Sequence, residues 1–258
     1  MVSQAGTMAL AGLIPIVHSF ACFLTSRASE QIYNNCTQGG KVIYVGSLAG
    51  VLPGGPGHSH QAVRDITAMS AMPGMTIIEP ANAKQVKSAL NWAANENQGS
   101  TYLRLTSIPY EQSSELLQSG EFQIGKGMAV REGSDVLILA FGPIMASQAL
   151  EAATLLDKKG ISAAVVVTPW INKIDPTWIQ SAIGRNKCVV TLENHYTECG
   201  AGSFYITTMA SLGLLTNRKV FTLGVDEIPA CGKNEEVLMH HKLNGSQIAN
   251  AVFEKLSS

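Results

Sequence analysis

Short, continuous apolar runs alternate with amphipathic stretches along nearly the whole chain, and no other feature constrains its fold as strongly. Residues 41–46, 101–105, 135–141 and 162–168 are dominated by Val, Ile, Leu and aromatic side chains, with no polar residue at every second position. A strand of that kind is covered on both faces. Strands that alternate with helices form parallel βα units. Between the runs, residues 82–94 place Val86, Leu90 and Ala93 on one stripe behind an N-cap asparagine, Asn82, which is helical spacing. Further strands are expected at 14–17, 75–78, 188–192 and 220–223, and further helices at 2–12, 147–159, 176–183, 203–214 and 246–256.

A polar stretch, residues 111–127, interrupts the pattern. It reads as a linker, although its 121–125 piece can also pair as a strand. The expected architecture is α/β: two doubly wound, mostly parallel-sheet domains, one over residues 1–122 and one over 128–258. The first opens on a helix of small residues with no strand before it, as if its opening βα unit were missing.

Composition narrows the function classes. The 258 residues carry a formal net charge of −1 with no basic run, so there is no electrostatic footprint for nucleic acid. Residues 1–23 are mostly apolar, but Pro15 and several polar residues interrupt them and the first basic residue is Arg27. Neither feature fits a signal peptide or a membrane span, and a soluble, cytoplasmic protein is expected. The five cysteines form no Cys-x-x-Cys pair and read as reduced thiols. Charged residues make up only 14%, against about 25% in typical domains, which fits a surface reserved for another protein or one that is polar but uncharged.

The residues that could carry chemistry are few. His58 and His60 follow a glycine-rich segment, residues 50–57, placed after the 41–46 strand. Open α/β sheets bind ligands at the carboxyl ends of their strands, and a histidine there can move protons or donate hydrogen bonds. Metal ligation by the His-x-His pair needs further ligands, and no matching cluster adjoins it. Phe20 and Phe23 lie just after the 14–17 strand, where core packing is the ordinary role. Arg104 ends an otherwise apolar strand; it is suited to a surface ion pair or to clamping a phosphate or carboxylate.

In order along the chain, residues 2–12, Pro15 to Val17 and Phe20-x-x-Phe23 resemble the pyrimidine-binding domain of transketolases and deoxyxylulose-phosphate synthases. So do Gly57-His-Ser-His-Gln61, Met72-Pro-Gly-Met75 and Glu79-Pro80. Leu192-Glu-Asn-His-Tyr196 with Gly200-Ala-Gly202 is similar to the transketolase C-terminal domain. The resemblance implies a thiamine diphosphate enzyme that transfers a two-carbon ketol unit between sugars or sugar phosphates. Phe20 and Phe23 would stack on the aminopyrimidine ring, Arg27 would assist there, His60 would face the substrate with support from His58, and Arg104 would hold a sugar phosphate.

The same resemblance marks departures. The family's catalytic glutamate belongs to a Glu-Gln-Asn-Met-type motif whose last residue matches Met1, so the resemblance places that glutamate three positions before the first residue given. The segment that binds diphosphate and Mg²⁺ is absent and is expected on an N-terminal, diphosphate-binding partner chain, with the pair assembling as a dimer of heterodimers. Pro56 and Leu48 replace polar groups of related enzymes. The expectation is a C-terminal subunit of a split transketolase, inactive alone. The alternatives are the β-type subunit of a 2-oxo-acid dehydrogenase, a deoxyxylulose-phosphate synthase-like fragment, or a non-catalytic assembly subunit.

Overall fold

The computed structural model describes residues 1–109, Leu116 and residues 122–257. In its first half, strands β1 (Ile16–Phe20), β2 (Ile43–Ser47), β3 (Thr76–Ile78) and β4 (Thr101–Leu105) pair in parallel in the order β1-β2-β4-β3. Helices α1 (Val2–Leu10), α2 (Ala21–Arg27), α3 (Ser29–Thr37), α4 (Asp65–Ser70) and α5 (Ala83–Asn95) accompany them. The second half holds β5 (Met128–Arg131), β6 (Val136–Ala140), β7 (Ala163–Val167), β8 (Cys188–Tyr196) and β9 (Lys219–Val225), ordered β5-β7-β6-β8-β9. All pair in parallel except β5, which runs antiparallel along β7 at the edge. Helices α6 (Gly142–Asp157), α7 (Pro176–Ile183), α8 (Ala201–Ser211), α9 (Asn234–His240) and α10 (Gly245–Ser257) complete it. The chain therefore has two α/β domains built on mostly parallel sheets.

Several elements differ from expectation for identifiable reasons. The helix expected from Ser147 starts at Gly142, because Pro143 sits in its first turn, where a missing N–H costs nothing. Strand β1 begins after Pro15 and runs to Phe20, so Phe20 closes the strand rather than following it. Strand β8 continues past Leu192 to Tyr196 and draws Glu193, Asn194 and His195 into the interior. The 121–125 piece forms no strand over its described residues, 122–125; the pairing falls to β5. The linker reading from residue 111 lies mostly outside the described residues. Helices α3, α4 and α9 are short, and α3 is rich in polar residues, so no long apolar stripe announced them. Among the described residues, no helix is long and apolar enough to cross a membrane.

The two sheets are joined through main-chain hydrogen bonds. Glu79 N–H donates to Pro169 O at 2.7 Å and Ile171 N–H to Ile77 O at 3.0 Å. Val51 N–H donates to Asn194 O and Tyr196 N–H to Val63 O, both at 3.0 Å. Trp170 stands at this junction, fully buried, edge-on to Trp92 with ring centroids 4.8 Å apart. Its Nε1–H donates to Gln123 O and its carbonyl accepts the Tyr205 hydroxyl. Cutting it to alanine leaves a large cavity between the sheets and takes the indole donor from Gln123 O, while the carbonyl that accepts the Tyr205 hydroxyl stays. Trp170→Ala should lower the unfolding free energy by about 3–5 kcal/mol, read by urea denaturation.

Candidate functional site

Four of the residues singled out above meet at the carboxyl ends of β1 and β2. The rings of Phe20 and Phe23 lie 6.0 Å apart, tilted by 39°. The imidazole of His60 is edge-on to Phe23 at 5.0 Å and 6.4 Å from Phe20. The Arg27 guanidinium carbon sits 4.0 Å above the Phe23 ring, a cation–π contact. Phe20 remains 42% exposed, so the group is an open aromatic shelf and not a closed core. It stands where it does because β1 ends at Phe20 and α2 begins at Ala21, which points two aromatic residues three apart to one side. His60 comes from the loop after β2; its backbone N–H donates to Gly57 O at 2.9 Å, and its Nδ1 lies 3.0 Å from Ser59 Oγ. His58 is exposed. Leu48, at the mouth of the same loop, holds φ at +54°, a strained setting for a residue with a Cβ.

Arg104 is elsewhere, and its expected role in holding a phosphate does not survive. The side chain is fully buried. Its Nε donates to Asp65 Oδ2 at 2.9 Å, its Nη1 to Glu79 Oε1 at 2.7 Å and to Asn194 Oδ1 at 2.6 Å, and its Nη2 to Ala62 O at 3.1 Å. Nor is it a surface ion pair: both of its carboxylate partners are buried as well. Tyr102 OH adds a 2.7 Å bond to Asp65 Oδ2. Asp65, Glu79 and Tyr102 belong to the first domain and Asn194 to the second, so the guanidinium lies across the junction.

The environment sets the charges here. Burial works against the Arg104 cation, but Asp65 and Glu79 outweigh it and hold its pKa above the ordinary value. Burial raises the pKa of Glu79, with Arg104 pulling the other way. His195 lies against the same cluster, its Nε2 3.8 Å from Asp65 Oδ1. Its Nδ1 lies 2.9 Å from Tyr196 O and so carries the ring proton. Burial lowers its pKa to about 4, against the pull of Asp65. Glu193 is pushed up to about 8 by burial, although the amides of Ala201 and Gly202 donate to its two oxygens. Gly142 accommodates the cluster in two ways: its φ is +74°, and a Cβ there would overlap the Glu79 carboxylate.

Sequence reasoning missed this cluster because its members are scattered from residue 65 to residue 195. The signals were Arg104, a charge inside an apolar strand, and the family-like motifs Glu79-Pro80 and Leu192-Glu-Asn-His-Tyr196, which nothing in sequence joins to it. A second pair also went unremarked: His18 Nε2 and Ser47 Oγ lie 3.1 Å apart near the carboxyl ends of β1 and β2.

Comparison with known proteins shows the family to which these two domains belong. Residues 1–112 match the transketolase pyrimidine binding domain and residues 125–248 the transketolase C-terminal domain. A protein of Methanocaldococcus jannaschii named as a transketolase C-terminal section is 33% identical over 99% of this chain and 79% of its own length. This chain belongs to the transketolase family. A 6-deoxy-6-sulfo-D-fructose transketolase subunit from Clostridium sp. strain MSTE9 is 33% identical over 79% of the chain, which spans 62% of that protein. The chain spans only 35% of the 1-deoxy-D-xylulose-5-phosphate synthase 1 of Geobacter sulfurreducens, 31% identical over 88% of it. Among solved structures, a split-gene transketolase described as an inactive β4 tetramer superposes with a TM-score of 0.84 at 30% identity. That match covers 98% of this chain and 80% of the other.

Two outcomes test the buried cluster. Arg104→Ala leaves Asp65 and Glu79 buried without a counter-charge and should cost about 3–5 kcal/mol of stability, measured by chemical denaturation. Glu193 keeps a proton in the folded state up to about pH 8 that it gives up near pH 4.5 when unfolded. The folded state therefore binds more protons across that window, and the stability this provides is lost as pH rises. From pH 6.5 to 8 the wild type should lose about 1 kcal/mol per pH unit relative to Glu193→Gln, seen in urea titrations of both proteins.

Proposed function

We propose that this chain supplies the pyrimidine-binding and C-terminal domains of a split transketolase. Joined to a diphosphate-binding partner chain, it transfers a two-carbon ketol unit between sugars or sugar phosphates. The observation that carries this reading is the shelf formed by Phe20, Phe23, Arg27 and His60. Two tilted aromatic faces, one of them open, at the carboxyl end of a parallel strand fit a flat heteroaromatic ring in offset or edge geometry. That matches the pyrimidine of thiamine diphosphate. The cofactor, when bound, supplies carbanion stabilisation, and the protein supplies orientation and electrostatics.

In this reading Phe20 and Phe23 bind and orient the ring. Arg27, fixed over Phe23, holds positive charge beside it. His60 presents a nitrogen toward the substrate's oxygens, where it holds or moves a proton; His58 stands two residues away on the same loop. Arg104 positions rather than binds: it ties the loop carbonyl at Ala62 to both domains. With Arg104 buried, this chain has no assigned phosphate clamp. Substrate specificity then rests with the partner and with the loop that holds Leu48 and Pro56. The resemblance to a 6-deoxy-6-sulfo-D-fructose transketolase subunit makes sulfonated sugars worth including among the donors.

The need for a partner has its own support. Met8, Leu10, Leu13, Ile14 and Ile16 are each 46–58% exposed, a run of apolar side chains leading to Phe20. Patches of that kind mark protein interfaces. The partner would hold the diphosphate and Mg²⁺, and the pair would assemble as a dimer of heterodimers.

Co-expression with a diphosphate-binding transketolase chain should give a co-purifying complex that moves ketol units in a donor–acceptor screen of phosphorylated, unphosphorylated and sulfonated sugars. The chain alone should bind thiamine diphosphate weakly by calorimetry. In the complex, Phe20→Ala and Phe23→Ala should each weaken cofactor binding about tenfold, the loss of roughly one aromatic contact. His60→Ala should lower kcat about a hundredfold with cofactor affinity kept. Tight cofactor binding by the chain alone would sink the two-chain reading.

A further inference from the structure

The second domain reaches over to the loop that bears His60. The segment 230–234, between β9 and α9, meets residues 51–61 along two rails. On one, Gly54 N–H donates to Asn234 Oδ1 at 3.0 Å, and Gly232 N–H returns to Gly54 O at 3.4 Å. On the other, Gln61 Nε2 donates to Ala230 O at 2.9 Å and to Val51 O at 2.8 Å. Between them the Cys231 thiol donates to Gly55 O at 3.2 Å. Gly54 O also accepts the Gly57 N–H, and Gly57 O accepts the His60 N–H. The imidazole is therefore one turn away from a backbone held by the other domain. A Cβ on Gly54 would overlap Val237 of α9, so the fit is close.

The segment 230–234 is itself anchored. His241, whose side chain is fully buried, accepts the Ala230 N–H on Nε2 at 3.0 Å. That fixes its ring proton on Nδ1, which faces Glu227 Oε1 at 3.9 Å. The Glu227, His240 and His241 group thus reads as an anchor for Ala230: metal ligation by Nδ1 would need the lone pair that this proton occupies.

We propose that Asn234 is a positioning residue for His60, and that the segment 230–234 gives the C-terminal domain a direct part in the chemistry by holding the His60 loop. The role of His60 rests on the transketolase reading above; the clamp itself does not. Phe20 and Phe23 stand on β1 and α2, outside the clamp, so loosening it should disturb the substrate side of the site and spare the cofactor side.

The experiment compares Asn234→Ala, which removes the acceptor of Gly54 N–H, with Asn234→Asp, which keeps it. Hydrogen exchange on the chain alone should speed up about tenfold at residues 54–61 in Asn234→Ala, the scale of one lost hydrogen bond. It should return to the wild-type rate in Asn234→Asp, with the amides of β6 and β8 unchanged in both. In the complex with a diphosphate-binding chain, Asn234→Ala should lower kcat about tenfold, a small misplacement of the ring. Asn234→Asp should recover it, and thiamine diphosphate affinity should stay constant throughout. Unchanged exchange at 54–61 in Asn234→Ala, failure of Asn234→Asp to restore it, or equal acceleration in β6 and β8 would overturn the clamp. If the exchange pattern holds but no partner yields ketol transfer, the clamp stands and the transketolase reading fails.

Discussion

The guanidinium of Arg104 is the point at which both domains and the His60 loop are tied together. It joins two carboxylates from the loops and helices of the first sheet, the amide of Asn194 from the second, and the carbonyl of Ala62 at the foot of the His60 loop. Each of these groups is buried, and burying any of them unpaired is costly. Arg104 satisfies them together because its planar fork offers donors in several directions at once. A lysine has the charge without that reach. An apolar replacement of the whole cluster would be a different design, and such replacements in other proteins are often neutral or better for stability. What the ionic version supplies here is geometry: it adds a buried, directional tie between two domains that also meet through apolar surface, main-chain bonds and the side chains of Asn172, Asn234 and Gln61.

That tie matters because the open shelf at Phe20 and Phe23 belongs wholly to the first domain, while the loop beside it is held from both sides. The shelf is built by local rules: a strand end, a helix start, and aromatic residues three apart. The loop has only turns of its own, Gly57 N–H to Gly54 O and His60 N–H to Gly57 O. Its glycines give it close approaches and little rigidity, and Arg104 from below and residues 230–234 from the side add to what holds its shape. A domain with no ring-binding residue of its own among those identified can in this way still decide where the histidine sits.

Most of the architecture was legible in the sequence, because continuous apolar runs and amphipathic stripes are local signals. Strand β4 and helix α7 fall at residues 101–105 and 176–183, as the pattern of apolar residues indicates. What failed did so for local reasons too: Pro143 looks like a breaker and is a helix start, and α3 and α4 bury too few residues to show a stripe. The resemblance groups Phe20, Phe23, Arg27 and His60, and the structure places these side chains side by side. Arg104 was correctly noticed and wrongly placed. An arginine at a strand end looks the same in sequence whether it faces solvent or a neighbouring domain. The residues that decide between those cases, Asp65, Glu79 and Asn194, are distant along the chain, and although Glu79 and Asn194 sit in the family-like motifs, nothing in sequence pairs them with Arg104.

The glycines that make room for the buried polar groups carry an evolutionary consequence. Side chains at Gly50, Gly142 and Gly200 would run into Asn194, Glu79 and Glu193 respectively. No one of these positions can drift alone: a substitution at the glycine is tolerated only if its polar neighbour shrinks or turns, and each neighbour is itself bonded, Asn194 and Glu79 to Arg104 and Glu193 to the amides of Ala201 and Gly202. Across the relatives of this protein such positions should therefore change as blocks or not at all. Joint inheritance of the Gly50–Asn194 and Gly142–Glu79 pairs, which span the two domains, would mark out their junction in sequences whose structures have never been determined.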